Sequence, residues 1–172
     1  MPLALRARAL WKSYAAGVAG CSARIWVLRG ASIEVEQGEC VAVLGARGAG
    51  TTTLLHCLAG MRRPDAGIIE HAVAPALLGA LPSEWNSNAH SPRAGRLLLC
   101  DDELHAASDR TTSWSAFTRS RPRDAIIIAT HELAPVRRIA DRVLILRDGR
   151  LIPIDRALGA RRVAEGFAAS SA

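Results

Sequence analysis

The sequence predicts an α/β fold with a mainly parallel sheet. The run CVAVLG at 40–45 is continuously apolar, as in a parallel strand that is covered on both faces. A glycine-rich loop and an apolar helical segment follow it, which gives the order strand, loop, helix. Two further apolar runs, RLLLCDDE at 96–103 and AIIIATHE at 125–132, end in polar residues, where sheets of this class place their chemistry.

Periodicity and turn residues predict the remaining elements. The segment at 31–39, ASIEVEQGE, alternates apolar and acidic residues, as a half-buried strand does. In TTTLLHCLAG, Leu54 and Leu58 lie one helical turn apart and the helix is expected to stop at Gly60. The Asp-Gly pair at 148–149 stands between two apolar runs and predicts a tight hairpin, because both turn positions favour positive φ.

Length and hydropathy indicate a single domain. The 172 residues, 49% of them hydrophobic, suffice for one core and are too few for two comfortable domains, so we expect one domain over 1–172. No apolar run approaches the roughly 18 residues that a membrane span requires, and the N-terminus does not resemble a secretory leader. We therefore expect a cytoplasmic protein that can dock at the inner face of a membrane.

The positive charge does not indicate a nucleic-acid-binding surface. The formal net charge is +6, but the arginine pairs at 62–63, 137–138 and 161–162 are scattered along the chain. No aromatic residues are interleaved with them as platforms for stacked bases. Nucleic acid is accordingly not an expected partner.

The four cysteines are expected to be reduced core residues. Cys21, Cys40, Cys57 and Cys100 form no C-x-x-C pair, and three of them fall within predicted strands or helices. A structural zinc site would require clustered ligands.

The segment GARGAGTTT at 45–53 resembles a phosphate-binding loop that has lost its lysine. The pattern G-x-x-x-x-G-K-[ST] fits at Gly45, Gly50 and Thr52, but Thr51 stands at the lysine position. Glycines let the backbone curl so that successive N–H groups point at an anion, and the N-terminus of the following helix adds to their effect. The predicted phosphate-binding residues are Gly45, Ala46, Arg47, Gly48, Ala49, Gly50, Thr51, Thr52 and Thr53.

Four motifs in order resemble the nucleotide-binding subunit of an ABC transporter, over about residues 3–154. They are LWKSYAAG, the segment from VLRGASIEVEQGE through the glycine loop, LLLCDDELHAASD, and AIIIATHELAPVRRIADRVLILRDGRL. The resemblance implies a P-loop NTPase core, with an N-terminal antiparallel β portion added to the mainly parallel sheet. It also implies ATP and Mg²⁺ as cofactors, and it puts Tyr14 where an aromatic ring stacks on adenine.

The chain departs from the family between the glycine loop and the third motif. That stretch is much shorter here, and no SGG occurs, so the helical subdomain and its L-S-G-G-Q signature are expected to be absent. The segment LGALPSE at 78–84 resembles the strand before the Q-loop, with Ser83 in place of the glutamine. A polar bypass at about 84–96 is predicted to replace the missing subdomain.

The resemblance assigns roles to the polar residues at the strand ends. Thr52 would give its hydroxyl to Mg²⁺, and Asp102 would hold the same ion through its water shell. Glu103 would polarise the attacking water as general base, and His131 would reach the γ-phosphate. With Asp102 and Glu103 as the DE pair, Asp109 is the D-loop aspartate. The alternative register leaves Asp102 as the would-be base and shifts the D-loop by one position.

These departures predict a degenerate ATP-binding subunit. Loss of one charge-assisted contact at Thr51 should weaken ATP binding about 10- to 100-fold. Hydrolysis should suffer more, because charge on the transferring phosphoryl group must be stabilised in the transition state. Arg47 is a candidate for a substitute charge.

Two functions therefore remain open from the sequence. The first is an ATP-binding transport subunit that is weak in binding and impaired in hydrolysis. The second is a non-catalytic interaction or regulatory module that pairs with a complete subunit or another protein. In either case the expected partners are a complete ABC ATPase subunit, a membrane permease, or both.

Overall fold

The structure, a computed structural model, describes residues 2–16, 23–78, 95–101, 118–119 and 122–154. The elements in these residues are, in chain order, β1 (Leu3–Ala16), β2 (Ala23–Glu36), β3 (Cys40–Leu44), α1 (Thr51–Leu58), β4 (Ala66–His71), β5 (Pro75–Leu78), β6 (Leu97–Asp101), β7 (Ala125–Thr130), α2 (Leu133–Val136), β8 (Arg142–Arg147) and β9 (Arg150–Ile154). None of the helices in this part of the chain has the length and apolar character needed to cross a membrane.

The central sheet has six strands in the order β5-β6-β7-β3-β8-β9. Its first five strands are parallel, and β9 pairs antiparallel with β8. Every residue of β3, β6 and β7 is buried, because the two faces of the sheet pack into separate hydrophobic clusters. In β3, Val41 and Val43 belong to one cluster while Ala42 and Leu44 belong to the other. This two-sided burial explains the continuous apolar runs in the sequence.

A second sheet is antiparallel, with the order β2-β1-β4. In β2, Ala31, Ile33 and Val35 are buried in the cluster that also receives Val41 and Val43. The intervening residues of β2 are exposed, which confirms the half-buried strand predicted at 31–39. The two sheets together confirm the predicted α/β architecture with its added antiparallel portion.

Helix α1 follows the glycine-rich loop and packs its apolar side chains against the central sheet. Leu54, Leu55 and Leu58 are fully buried. The N–H of Gly60 donates to the carbonyl oxygen of Cys57 at 3.0 Å, just beyond the last helical residue. The predicted helix and its end are therefore confirmed.

The β8–β9 hairpin has the predicted turn. Asp148 and Gly149 have φ values of 51° and 74°, so both central residues are in the left-handed region, as in a turn of type I′. The three described cysteines, Cys40, Cys57 and Cys100, are buried and free. Burial and the nearby charges of Asp141 and Glu39 raise the pKa of the Cys40 thiol to about 12.

The strand before the Q-loop position lies earlier than the sequence indicated. Strand β5 covers Pro75–Leu78, whereas 78–84 was the predicted strand segment, and residues 79–84 lie outside the described part. Parallel pairing with β6 determines the observed position, since Ala76 and Leu77 then pack into the clusters on opposite faces of the sheet. Most of the predicted bypass at 84–96 is likewise not described, and the single-domain prediction stays a prediction.

Candidate nucleotide site

The glycine-rich loop leaves the carboxyl end of β3 and is tied to the neighbouring strand. The N–H of Gly45 donates to the carbonyl oxygen of Thr130, the last residue of β7, at 3.1 Å. A turn follows, closed by the N–H of Ala49 donating to the carbonyl oxygen of Ala46 at 2.9 Å. Gly48 occupies the third position of this turn with φ 81°, a value that requires glycine in a type II turn.

Gly50 joins this loop to α1, and only glycine fits there. Its φ of 99° is left-handed, and a Cβ at this position would clash with the side chain of Val27 on β2. The close approach brings the second sheet against the loop. The first N–H groups of α1, from Thr51 onward, have no intrahelical acceptor and are available to an anion.

Thr51 is a packing residue in this structure. Only 6% of it is exposed, and its Cγ2 methyl lies 2.6 Å from where a Cβ at Gly45 would be. The side chain therefore turns back beneath the loop and fills the space that the absent Cβ leaves. Because threonine is neutral, Thr51 does not supply the charge that the lysine of the motif would carry.

Thr52, the next residue, joins the loop to β6. Its hydroxyl donates to Oδ2 of Asp101 at 2.8 Å, and Asp101 is the last residue of β6 and 5% exposed. The hydroxyl hydrogen is used in this bond while lone pairs of the oxygen remain for a cation. A hydroxyl beside a carboxylate is the hard oxygen environment that Mg²⁺ prefers.

Asp101 was missing from the predicted site residues. The predicted metal residue Asp102 and the predicted base Glu103 lie outside the described residues. The bond between Thr52 and Asp101 favours the alternative register, in which the first aspartate of the doublet faces the metal. The feature that identifies Asp101 as a site residue is its place at the carboxyl end of β6. There it pairs with Ala129, one residue before β7 ends.

His131 follows β7 directly. Its Nε2 lies 3.5 Å from Oε1 of Glu132, which is an ion pair when the imidazole is protonated. Its Nδ1 is buried and has no hydrogen-bond partner among the described residues. No hydrogen bond in that part of the chain joins His131 to Thr52 or Asp101. This buried nitrogen without a partner lies one residue from the Thr130 carbonyl that holds the loop, and a polar ligand bound beside the loop would satisfy it.

Tyr14 lies beside the first turn of α1. Its Oη is 3.2 Å from Oγ1 of Thr53. The guanidinium carbon of Arg62 lies 5.3 Å from the centre of the tyrosine ring, and the ammonium of Lys12 lies 5.9 Å from it, distances at which a cation is attracted to an aromatic ring. The predicted adenine platform is thus next to the phosphate loop and is contacted by two cations.

Asp65 holds the segment after α1 against β1. Its carboxylate accepts hydrogen bonds from the Lys12 ammonium at 2.8 Å, the Ser13 hydroxyl at 2.7 Å and the Ser13 N–H at 2.8 Å. These bonds, led by the one from Lys12, hold the pKa of Asp65 well below its usual range. Lys12 also donates to the carbonyl oxygen of Arg63 at 2.9 Å, so this ammonium uses two of its three N–H donors in contacts within the fold.

The assembled residues fit a magnesium-bound nucleotide, with one exception. The first N–H groups of α1 are backbone donors without intrahelical acceptors, and the Thr52 hydroxyl and Asp101 carboxylate offer oxygen ligands. The described residues contain no group of three or more His, Cys, Asp or Glu side chains arranged to hold a metal by themselves. The exception is Thr51, which brings no charge.

Comparisons with known proteins agree with this geometry. The family model described as ABC transporter matches residues 28–112. The aliphatic sulfonates import ATP-binding protein SsuB 3 of Paraburkholderia xenovorans (strain LB400) is 26% identical, over 87% of this chain and 79% of the relative. The lipoprotein-releasing system ATP-binding protein LolD of Saccharophagus degradans is 48% identical over 44 residues, 26% of this chain and 19% of the relative.

The fold is also similar to a solved ATP-binding cassette. A dimeric cassette in a post-hydrolysis state, bound to ADP and Pi, superposes with a TM-score of 0.66 at 12% identity, covering 88% of this chain and 98% of the other. The alignment with the Paraburkholderia relative runs over 204 positions, more than the 172 residues of this chain. It therefore contains positions that the relative has and this chain lacks, in keeping with the loss of an internal block.

Proposed function

We propose, from the premise that the chain belongs to the ABC transporter family as an ATP-binding subunit, that it binds Mg·ATP weakly and hydrolyses it slowly or not at all. The contrast between two adjacent residues carries the proposal. Thr51 packs under the loop and supplies no charge, while Thr52 keeps its bond to a buried carboxylate. The proposed contacts of Thr52 with the metal and of the loop N–H groups with the phosphates are thus retained, while the contact of a lysine with the outer phosphates is lost.

Binding depends on groups that the loss of lysine leaves in place. The loop N–H groups and the first turn of α1 hold the phosphates, and Tyr14 offers a ring to the base beside Thr53. Thr52 and Asp101 would hold the magnesium ion, which when bound would neutralise charge on the phosphate oxygens. One missing charge-assisted contact weakens this binding about 10- to 100-fold and does not abolish it.

Hydrolysis requires more than this arrangement offers. Charge that develops on the transferring phosphoryl group lacks the lysine that would stabilise it. If Asp101 faces the metal, Asp102 stands at the base position with a side chain one methylene shorter than glutamate, and Glu103 falls one residue beyond it. His131 would reach the γ-phosphate from its place directly after β7. The short base and the absent lysine both slow the reaction.

The names of the relatives support a biological setting for this proposal. Their names describe ATP-binding proteins of systems that import aliphatic sulfonates or release lipoproteins. We place this chain at the cytoplasmic face of a membrane, paired with a complete ABC ATPase subunit that supplies the signature motif, with a permease, or with both. Nucleic acid has no role in this proposal.

Thermal unfolding with and without Mg·ATP and Mg·ADP, on the native chain and on Thr51→Lys, tests the proposal. A ligand at 100 times its dissociation constant stabilises by about 2.7 kcal/mol, which raises the midpoint by roughly 5 to 11 °C at this size. We expect a shift in the native chain at high ligand concentration and in Thr51→Lys at concentrations about 10- to 100-fold lower.

The other outcomes identify the alternative. A shift in Thr51→Lys alone would mean that the natural protein does not use its site, and no shift in either would contradict nucleotide binding altogether. Both results would support the non-catalytic interaction or regulatory module. The burial of Thr51, which fills the loop from beneath, is the observation that favours this alternative.

A further inference from the structure

We propose that Arg47 supplies to the outer phosphates the positive charge that Thr51 lacks. Arg47 is the cation contained in the loop segment 45–51. This inference rests on the proposed function and deepens it, because it assigns the cationic contact with the outer phosphates to residue 47 of the loop and not to residue 51.

The shape of the loop presents Arg47 outward. Arg47 is the second residue of the turn that the bond between Ala49 and Ala46 closes, and its side chain is exposed. Gly48 follows it, and a Cβ there would find no atom within 4 Å. The space beside Arg47 is therefore open, so its long side chain has room to swing towards a group bound over the N-terminus of α1.

Arg47 is also uncommitted, in contrast to Lys12 and Arg62, the two cations at the Tyr14 ring. Among the described residues it forms no ion pair and no hydrogen bond. Lys12 is held by Asp65 and by the carbonyl oxygen of Arg63, and Arg62 lies over the ring of Tyr14. Of these cations, Arg47 is the one that can meet a polyphosphate without breaking an existing contact.

Chemistry favours an arginine in this role. The guanidinium is always charged and presents several donors in a planar fork that matches the oxygens of a phosphate. It is attached by a flexible stem to a loop whose own backbone is held at both ends, by Thr130 on one side and by Val27 against Gly50 on the other. Ordering this stem lowers the net gain, so the contact replaces the lysine only in part.

A double-mutant cycle measured by titration calorimetry with Mg·ATP tests the assignment. The four proteins are the native chain, Arg47→Ala, Thr51→Lys and the double variant. Arg47→Ala should weaken binding about tenfold in the native background and less than about threefold beside a lysine at 51, because the two cations then serve the same phosphates. The effect on Mg·ADP should be smaller than on Mg·ATP, and Arg47→Lys should recover part of the lost affinity.

Arg63→Ala is the matched control. Arg63 is also exposed, and its hydrogen bond to Lys12 uses only its backbone carbonyl, so its removal should leave affinity unchanged. An equal loss in both backgrounds, no loss on Arg47→Ala, or an equal loss on Arg63→Ala would overturn the assignment while leaving nucleotide binding intact. A native chain that binds no nucleotide would contradict the proposed function as well.

Discussion

The candidate site has two sides, a loop side at Thr51 and a strand-end side at Thr52. The two adjacent threonines make different contacts. On the loop side, Thr51 is buried with its methyl against Gly45. On the strand-end side, Thr52 donates its hydroxyl to Asp101. Successive residues of a helix point about 100° apart, so one faces the underside of the loop and the other faces the end of β6. Identical side chains therefore pack beneath the loop in one place and bind a buried carboxylate in the other.

The comparison shows that the two sides can change independently. The loop side is held by backbone bonds, by the close approach of Gly50 to Val27 and by the methyl of the neutral Thr51, none of which requires a charged side chain at 51. The strand-end side needs one hydroxyl and one buried carboxylate in register. Loss of the lysine thus leaves the metal side intact, and variants on each side should have separable effects.

The largest expected effect is on the loop backbone itself. Gly50→Ala should lower the free energy of unfolding by about 2–5 kcal/mol, from the strain of a left-handed residue and the clash with Val27. Gly48→Ala, the matched control, has a left-handed φ but open space and should cost only about 1–2 kcal/mol. Denaturant unfolding measures both, and equal costs would mean that Val27 does not hold the loop.

Swapping each threonine for valine sharpens the comparison directly. Thr52→Val removes a hydrogen bond to a buried carboxylate and should cost about 1.5–3 kcal/mol of unfolding free energy. Thr51→Val keeps the methyl that packs on Gly45 and should stay within about 1 kcal/mol of the native chain. If Thr51→Val were the more damaging of the two, the hydroxyl of Thr51 and not its methyl would hold the loop.

The metal side is tested by two adjacent carboxylates. Asp101→Asn should reduce the gain in ATP affinity that Mg²⁺ provides by about tenfold, because it removes the charge next to the Thr52 hydroxyl. Asp102→Asn should leave that gain unchanged. Titration of ATP with and without Mg²⁺ measures the difference, and the reverse pattern would restore the register with Asp102 and Glu103 as the DE pair.

The smallest expected effect is a change in the pH dependence of stability. It concerns Asp65, which holds the segment after α1 against β1. Because the pKa of Asp65 is lowered in the fold, the stabilisation from its bonds is present above the unfolded pKa of about 3.9 and is lost as the pH falls through the lowered value. Asp65→Asn should therefore be less stable than the native chain at neutral pH, and the difference should narrow as the pH falls below about 4, where the unfolded carboxyl group becomes protonated.

Thermal unfolding between about pH 2 and 7 measures this dependence on pH. Asp148→Asn is the control, since this carboxylate is 87% exposed and only 3.7 Å from Arg147, a contact of little expected value. A constant difference between Asp65→Asn and the native chain at every pH would show that the charge of Asp65 does not matter.

Most of the architecture could be predicted because it depends on local pattern. The two-sided burial of β3, the alternation in β2, the helix over 51–58 and the Asp148-Gly149 turn each leave a periodicity or a turn signal in the chain. The position of strand β5 was predicted wrongly because its four residues lie within a longer apolar segment. No periodicity or turn residue in that segment marks where the strand begins and ends. Its position depends on pairing with β6, which lies beyond the intervening segment.

The site divides in the same way. By itself, the sequence determined that a glycine loop precedes a helix and that its lysine is absent, because both are properties of consecutive residues. Only the tertiary structure decided that Asp101 meets Thr52, since that depends on where β6 ends in its pairing with β7. It also decided that Thr51 is buried and that Tyr14 lies beneath Arg62. These contacts join residues far apart in the chain, and only packing of the two sheets around α1 brings them together.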